Sequence, residues 1–233
     1  MNSVRVSTVL ACSILSVCYN TRMEKPTVLY FVRHGETDWN VQKRIQGHKD
    51  IRLNTEGREQ AHRTAQKLLS EITHVHAIIS SDLQRTAQTA EIIADYFKLP
   101  VQSTTKLRER DFGSFSGKTF KQMSVLLKDA YKIFNSLSEE DKFDFNFHPE
   151  IEPERKLRTR VMSCLEDTVN RYPGKTVVVV THGGVLRSIL TAMQLLTTHE
   201  HGRIHIGNGA YFAIRFESGT YTFILSEGVV FPK

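Results

Sequence analysis

The chain has 233 residues, enough for one sizeable core and about one domain, and with 40% hydrophobic and 24% charged residues its composition is that of an ordinary globular protein. Its net charge of +6 is spread along the chain with no basic stripe interleaved with aromatics, which argues against a nucleic-acid partner. Cys12, Cys18 and Cys164 make neither a disulfide framework nor a metal-type spacing.

Residues 1–22 (MNSVRVSTVLACSILSVCYNTR) carry a short apolar stretch, Val6 to Val17, behind a single arginine. Without a clean cleavage site and with too little length to span a bilayer, the stretch is a poor export signal. The expectation is a poorly ordered leader or a start at Met23, with export or a transit segment as alternatives, no membrane association and a cytoplasmic domain over residues 23–233.

Thr27-Val28-Leu29-Tyr30-Phe31-Val32 is an apolar run rich in β-branched and aromatic residues without polar alternation, so it reads as a strand buried on both faces. It ends in Arg33-His34-Gly35, then Glu36-Thr37-Asp38, which suits the first turn of a helix. Such a strand-turn-helix surrounds its turn with backbone N–H groups, and here the turn presents an arginine and a histidine. Arginine offers a planar fork to phosphate oxygens, and a neutral imidazole nitrogen can attack phosphorus, although an isolated Arg-His-Gly is equally a polar strand end. Val41 to Asn54 lacks periodicity and contains Gly47, hence a loop. A helix capped by Thr55 buries Ala61, Ala65, Leu68 and Leu69. Ala77-Ile78-Ile79-Ser80 is a second short strand, and Ser81 or Asp82 caps a helix with Leu83, Ala87, Ala90, Ala94 and Phe97 inward. Arg85 then sits in a first helical turn past a strand's carboxyl end, the edge where open α/β sheets bind ligands.

Leu99 to Leu107 is a plausible edge strand leading to Leu107-Arg108-Glu109-Arg110-Asp111-Phe112-Gly113. Glu109 there is either a solvated partner for the arginines or a proton donor to a leaving oxygen. Residues 114–150 form a cap over a pocket, built of one helix from Phe115 to Phe134 and an aromatic, acidic loop from Asp141 to Glu150. From Pro153 a helix buries Leu157, Val161, Cys164, Leu165, Thr168 and Tyr172 and stops at Pro173-Gly174. Thr176 to Thr181 is a buried strand that runs into His182-Gly183-Gly184 and a helix over Val185 to Leu196, a second histidine in the same local design. Two strands follow, Ala210 to Phe216 and Tyr221 to Leu225, joined by a hairpin turn at Glu217-Ser218-Gly219-Thr220.

Val32-Arg33-His34-Gly35-Glu36-Thr37 with Asn40, Ser80-Ser81-Asp82-Leu83-Gln84-Arg85-Thr86, Leu107-Arg108-Glu109-Arg110 with Gly113 and Gly117, and Thr181-His182-Gly183-Gly184 stand in an order that resembles the histidine phosphatase superfamily, phosphoglycerate-mutase-like branch. The resemblance covers Met23 to Glu227. It implies an α/β fold of three layers, α/β/α, with a mostly parallel central sheet and the cap as an insertion. It also implies that His34 becomes phosphohistidine, that Arg33, Arg85 and His182 neutralise the phosphoryl group, and that Glu109 protonates the leaving alcohol and then helps activate water. Asn40, Gln46 and Gly47 match positions that line the substrate side in relatives, and Thr37 and Gly183 join them as expected substrate-binding residues. The stretch Glu150-Ile151-Glu152-Pro153 departs from the Gly-Gly-Glu-Ser-like segment of many relatives, with only Glu152 equivalent.

The activity expected is hydrolysis of a small phosphorylated metabolite, with a cofactor-dependent phosphoglycerate mutase as the alternative and a homodimer as a possible assembly. No cofactor is expected. A metal held by His34 and Asp38, or by His199, His201 and His205, lacks a supporting spacing.

Overall fold

The computed structural model describes residues 25–197 and 203–232. The leader expectation therefore lies outside the described residues. The frame is a six-stranded sheet in the order β3-β2-β4-β1-β5-β6, built of β1 (Thr27–Arg33), β2 (Ala77–Ser81), β3 (Val101–Thr104), β4 (Thr176–Thr181), β5 (His205–Glu217) and β6 (Thr220–Val230). The first four strands pair in parallel, whereas β5 is antiparallel to β1 and β6 antiparallel to β5. The helices in chain order are α1 (Asp38–Val41), α2 (Thr55–Glu71), α3 (Gln84–Phe97), α4 (Phe120–Leu126), α5 (Lys128–Ser136), α6 (Glu139–Asp144), α7 (Glu154–Arg171) and α8 (Gly183–Ala192).

Successive side chains of a strand point to opposite faces, so the apolar runs of β1 and β4 must be covered twice. Leu29, Phe31, Val177 and Val179 pack with α7 and α8, while Tyr30, Val32, Val178 and Val180 pack with α2 and α3, giving the expected three layers. Val177 to Val180 are fully enclosed, each contributing roughly 1.5–3 kcal/mol by burial. A third, smaller cluster of Ile45, Phe115, Met123, Leu127 and Ile151 holds the cap onto the sheet domain. Among the described residues no helix is long and apolar enough to cross a membrane.

Local chemistry moved several boundaries. Asn54, not Thr55, caps α2, its side chain accepting from the Gly57 N–H at 2.8 Å. Neither Ser81 nor Asp82 is the cap of α3: that position is Leu83, without a side-chain cap bond. Ser81 Oγ instead lies 3.0 Å from His182 Nε2, and the Asp82 carboxylate takes the Arg108 fork at 2.5 and 2.7 Å. The single cap helix is two, divided at Leu127, and the loop after Asp141 begins inside α6, which Ser138 caps by accepting from the Asp141 N–H. α8 starts at Gly183 and stops at Ala192, because Gln194 turns left-handed at φ 57°. β5 and β6 run longer than their apolar cores. Their hairpin is tight, with Ser218 and Gly219 both at positive φ and Glu217 paired to Thr220, the twist-matched geometry for a two-residue loop.

The sheet's topology creates the crevice. β1 and β4 lie side by side and parallel, but the chain leaves β1 toward α2 on one face and leaves β4 into α8 on the other. The carboxyl ends of the two strands are therefore left uncovered between diverging connections.

Candidate active site

Arg33 of β1 is in register with Thr181 of β4, so the next residues, His34 and His182, emerge together at the crevice. The His34 N–H still donates to Thr181 O at 3.0 Å, extending the ladder by one step. With strands about 4.8 Å apart, two side chains so placed must meet, and the imidazole centroids are 5.3 Å apart. The turn after His34 is pinned on every side. Its carbonyl accepts from the Gly209 N–H and from Asn208 Nδ2, and the Gly35 N–H donates to Thr89 Oγ1 at 3.1 Å. A Cβ at Gly35 would stand 2.1 Å from Gly57 O, so only glycine lets the turn seat on the first residues of α2.

His34 Nδ1 is 2.7 Å from its neighbour's carbonyl, Gly35 O, and must donate to it, which places the proton on Nδ1 and the lone pair on Nε2. Burial, then the charges of Arg85 and Arg33, hold this imidazole well below its ordinary pKa, so it is neutral at physiological pH. The partner histidine has the opposite tautomer. His182 Nδ1 accepts from Arg85 Nε at 3.2 Å, leaving Nε2 to donate to Ser81 Oγ, and burial followed by Arg85 keeps it neutral as well.

Arg85 is wholly buried and is aimed by the loop between α1 and α2: Nη1 donates to Lys49 O and Nη2 to Gly47 O, each at 2.8 Å. Arg33 Nη1 donates to Ile206 O at 2.6 Å, while its Nε is buried with no protein acceptor, 3.3 Å from where a Cβ on Gly183 would stand. Burial pulls both guanidinium groups down to about 10, which leaves them charged at neutral pH. The crevice thus holds two fixed cations and two neutral imidazoles, with the orphaned Arg33 donor beside the first residue of α8, where backbone N–H groups lack intrahelical partners.

Glu109 reaches the start of α8 from the loop after β3. Oε2 accepts from the Gly184 N–H at 3.0 Å and Oε1 from the Arg110 N–H at 2.8 Å, so the carboxylate is held against the start of α8. Its loop is clamped by a residue that the sequence reading did not single out. Arg160 of α7 donates through Nη1 to Lys106 O and Arg108 O, through Nη2 to Glu109 O, and through Nε and Nη2 to the Glu152 carboxylate. Burial raises the Glu152 carboxyl, but the Arg160 hydrogen bonds outweigh it and hold the group below the ordinary carboxylate range. His48 Nε2 lies 2.8 Å from the same Glu109 carbonyl. An i, i+8 Glu–Arg spacing across a helix start was the available signal, but only the folded loop shows what the pair holds.

The expected substrate-side residues divide. Gly183 and Gly47 adjoin Arg33 and Arg85 directly. Thr37, Asn40 and Gln46 engage one another: Thr37 caps α1 in a capping box with Asn40, and Gln46 Nε2 donates to Thr37 Oγ1 at 2.8 Å. Gln46 Oε1 is buried without a protein partner. Of the residues weighed as metal ligands, His199 and His201 lie outside the described residues, and among the described residues no group of three or more histidine, cysteine or acidic side chains is placed to hold an ion.

The arrangement can do one thing well. A tetrahedral oxyanion set against His34 Nε2 meets two guanidinium groups, a second imidazole and a helix start, and the Glu109 carboxylate is anchored at that same helix start.

Comparison with known proteins points the same way. Residues 29–227 match the model of the histidine phosphatase superfamily, branch 1. The chain is 42% identical over 161 residues to phosphoglycerate mutase-like protein 4 of Arabidopsis thaliana, covering 68% of this chain and 67% of that protein. It is 39% identical over 164 residues to the metal-independent phosphoserine phosphatase of the same plant, covering 70% and 67%. Among solved structures, phosphoserine phosphatase from Entamoeba histolytica in complex with 3-phosphoglyceric acid superposes with a TM-score of 0.74 at 28% identity, covering 86% of this chain and 96% of that one. With two histidines, two arginines and a carboxylate assembled at one sheet edge and the family pattern running through nearly the whole described fold, the chain belongs to the histidine phosphatase superfamily, branch 1, and is an enzyme of that histidine type.

Proposed function

We propose that the protein hydrolyses phosphomonoesters of a small metabolite through a phosphohistidine on His34. The observation that carries this reading is the neutral imidazole of His34, its Nδ1 proton committed to Gly35 O and its Nε2 lone pair left for attack between Arg33, Arg85 and His182. In the first step Nε2 attacks phosphorus, the bond from phosphorus to the ester oxygen breaks, and that oxygen takes the proton of the Glu109 carboxyl. In the second, water attacks the phosphoryl group and gives its proton to the Glu109 carboxylate as the N–P bond breaks, which releases orthophosphate and restores both groups. Phosphoryl transfer of this kind needs in-line positioning and charge neutralisation, which the buried Arg85 and the half-buried Arg33 provide from fixed backbone anchors.

Relatives include both phosphatase-named and mutase-named proteins, and the two activities share the first step. They part at the second, where a mutase returns the phosphoryl group to another oxygen of the substrate. Incubation with 3-phosphoglycerate and a trace of the bisphosphate separates them: release of orthophosphate is expected, and rapid interconversion of the monophosphates with little free phosphate would overturn the hydrolase reading. His34→Ala is expected to abolish acid-labile phosphoenzyme and turnover together while the circular dichroism of the fold is kept.

A further inference from the structure

Beneath the cap lies a cavity of about 520 Å3, within the size range of small-molecule sites, and none of His34, Arg33, Arg85 or His182 lines it. Its wall is aromatic. Phe134, Phe145, Phe147 and Tyr131 meet there with ring centroids 4.8–5.6 Å apart. The lining is also cationic, with Lys142 5.7 Å over the Phe134 ring and with Arg110 and Arg158 sharing a single carboxylate between them. Glu154 accepts from Arg110 Nη2, takes a 2.6 Å bond from Ser188 Oγ, and stands 3.7 Å from Arg158 Nη2. One carboxylate therefore serves two guanidinium groups. Arg158, stacked 4.4 Å over the Phe143 ring, keeps a buried Nε with no acceptor. The two guanidinium groups together carry more donors and more positive charge than the one carboxylate answers.

The cavity adjoins the reaction through one peptide. Arg110 puts its guanidinium in the cavity wall and its backbone N–H on the Glu109 carboxylate, and consecutive Cα atoms are only about 3.8 Å apart. On the proposed mechanism Glu109 is where the leaving alcohol departs, so the alcohol leaves beside the residue whose side chain lines the cavity.

We infer that this cavity receives the leaving group and that the preferred substrates, given the hydrolase reading above, are phosphomonoesters of an aromatic or similarly flat apolar alcohol that carries a second anionic group. The rings take the flat body, and Arg158 with Arg110 takes the second anion, the charge complement that a neutral aryl ester lacks.

The test compares ratios of kcat/KM within each enzyme preparation, so that any loss of folded protein cancels. The intact enzyme is expected to favour 4-carboxyphenyl phosphate over phenyl phosphate. Arg158→Gln is expected to lower that ratio about tenfold, the order of one charge-assisted hydrogen bond. Phe145→Ala is expected to lower instead the ratio of phenyl phosphate to glycerol 2-phosphate. Equal ratios in the intact enzyme and both variants would overturn the inference. Absence of phosphate release from every ester, with no phosphoenzyme, would instead overturn the hydrolase reading itself.

Discussion

Removing the Arg160 guanidinium is expected to separate the stability of the protein from the placement of Glu109, the proton donor proposed above. In Arg160→Met the Glu152 carboxylate, with only 5% of its side chain exposed, loses its bidentate partner, and a stranded buried charge of this kind costs roughly 3–5 kcal/mol. Against a typical total of about 5–15 kcal/mol that is a large fraction, and urea unfolding should show it. Adding Glu152→Gln removes the stranded charge, so most of the lost stability should return. The carbonyls of Lys106, Arg108 and Glu109, however, still lack the donor that gathers them, and the Glu109 loop can relax by about 1 Å, a displacement of the size that costs on the order of 100-fold in a positioned catalytic step. The kcat/KM for glycerol 2-phosphate, whose leaving alkoxide needs the proton, should therefore fall about 100-fold in both the single and the double variant, whereas that for 4-nitrophenyl phosphate, whose leaving group does not, should change far less. Recovery of full alkyl-ester turnover in the double variant, or equal slowing of both esters, would refute the idea that Arg160 acts by positioning Glu109.

Glu109→Gln is expected to reproduce that leaving-group dependence with little change in urea midpoint, measured as the ratio of alkyl- to aryl-ester kcat/KM, which reports the first step alone; equal slowing of both by that measure removes Glu109 from the proton-donor role. Acid should also weaken the fold through its two central imidazoles. While His34 and His182 stay neutral in the folded protein, the unfolded chain protonates both near the ordinary value of 6.5, so unfolding takes up protons and stability falls with falling pH. Each contributes about 1.4 kcal/mol of loss between pH 7.5 and 5.5, about 3 kcal/mol together, and the His34→Gln, His182→Gln double variant should lose that much less over the same range. An unchanged pH dependence in the variant would show that other groups govern acid stability.

The apolar runs of β1 and β4 were legible because continuous burial on both faces admits almost no polar residue, and the abrupt switch to Arg33-His34-Gly35 and His182-Gly183-Gly184 marked where those strands leave the core. Caps were less legible. Ser81 and Asp82 are good N-cap types, yet both are taken by partners far along the chain, His182 and Arg108, and nothing local distinguishes a cap from a side chain with a distant commitment. The cap region was read least well, since its helices α4 to α6 are short and their exposed apolar residues blur the period that identifies a helix.

By itself the sequence determined which residues could carry phosphoryl chemistry, because arginine, histidine and glycine at strand ends are local features that the chain spells out. Tertiary structure decided how they are used. The proton on His34 is fixed by Gly35 O, the aim of Arg85 by the carbonyls of Gly47 and Lys49, and the reach of Glu109 by Arg160, more than fifty residues away in the chain. The His34 contact is with its own neighbour, but the tautomer of His182, the burial that keeps both imidazoles neutral and the direction of Arg85 and Glu109 come from contacts between distant segments, which a linear order of residues does not contain until the sheet brings β1 and β4 side by side.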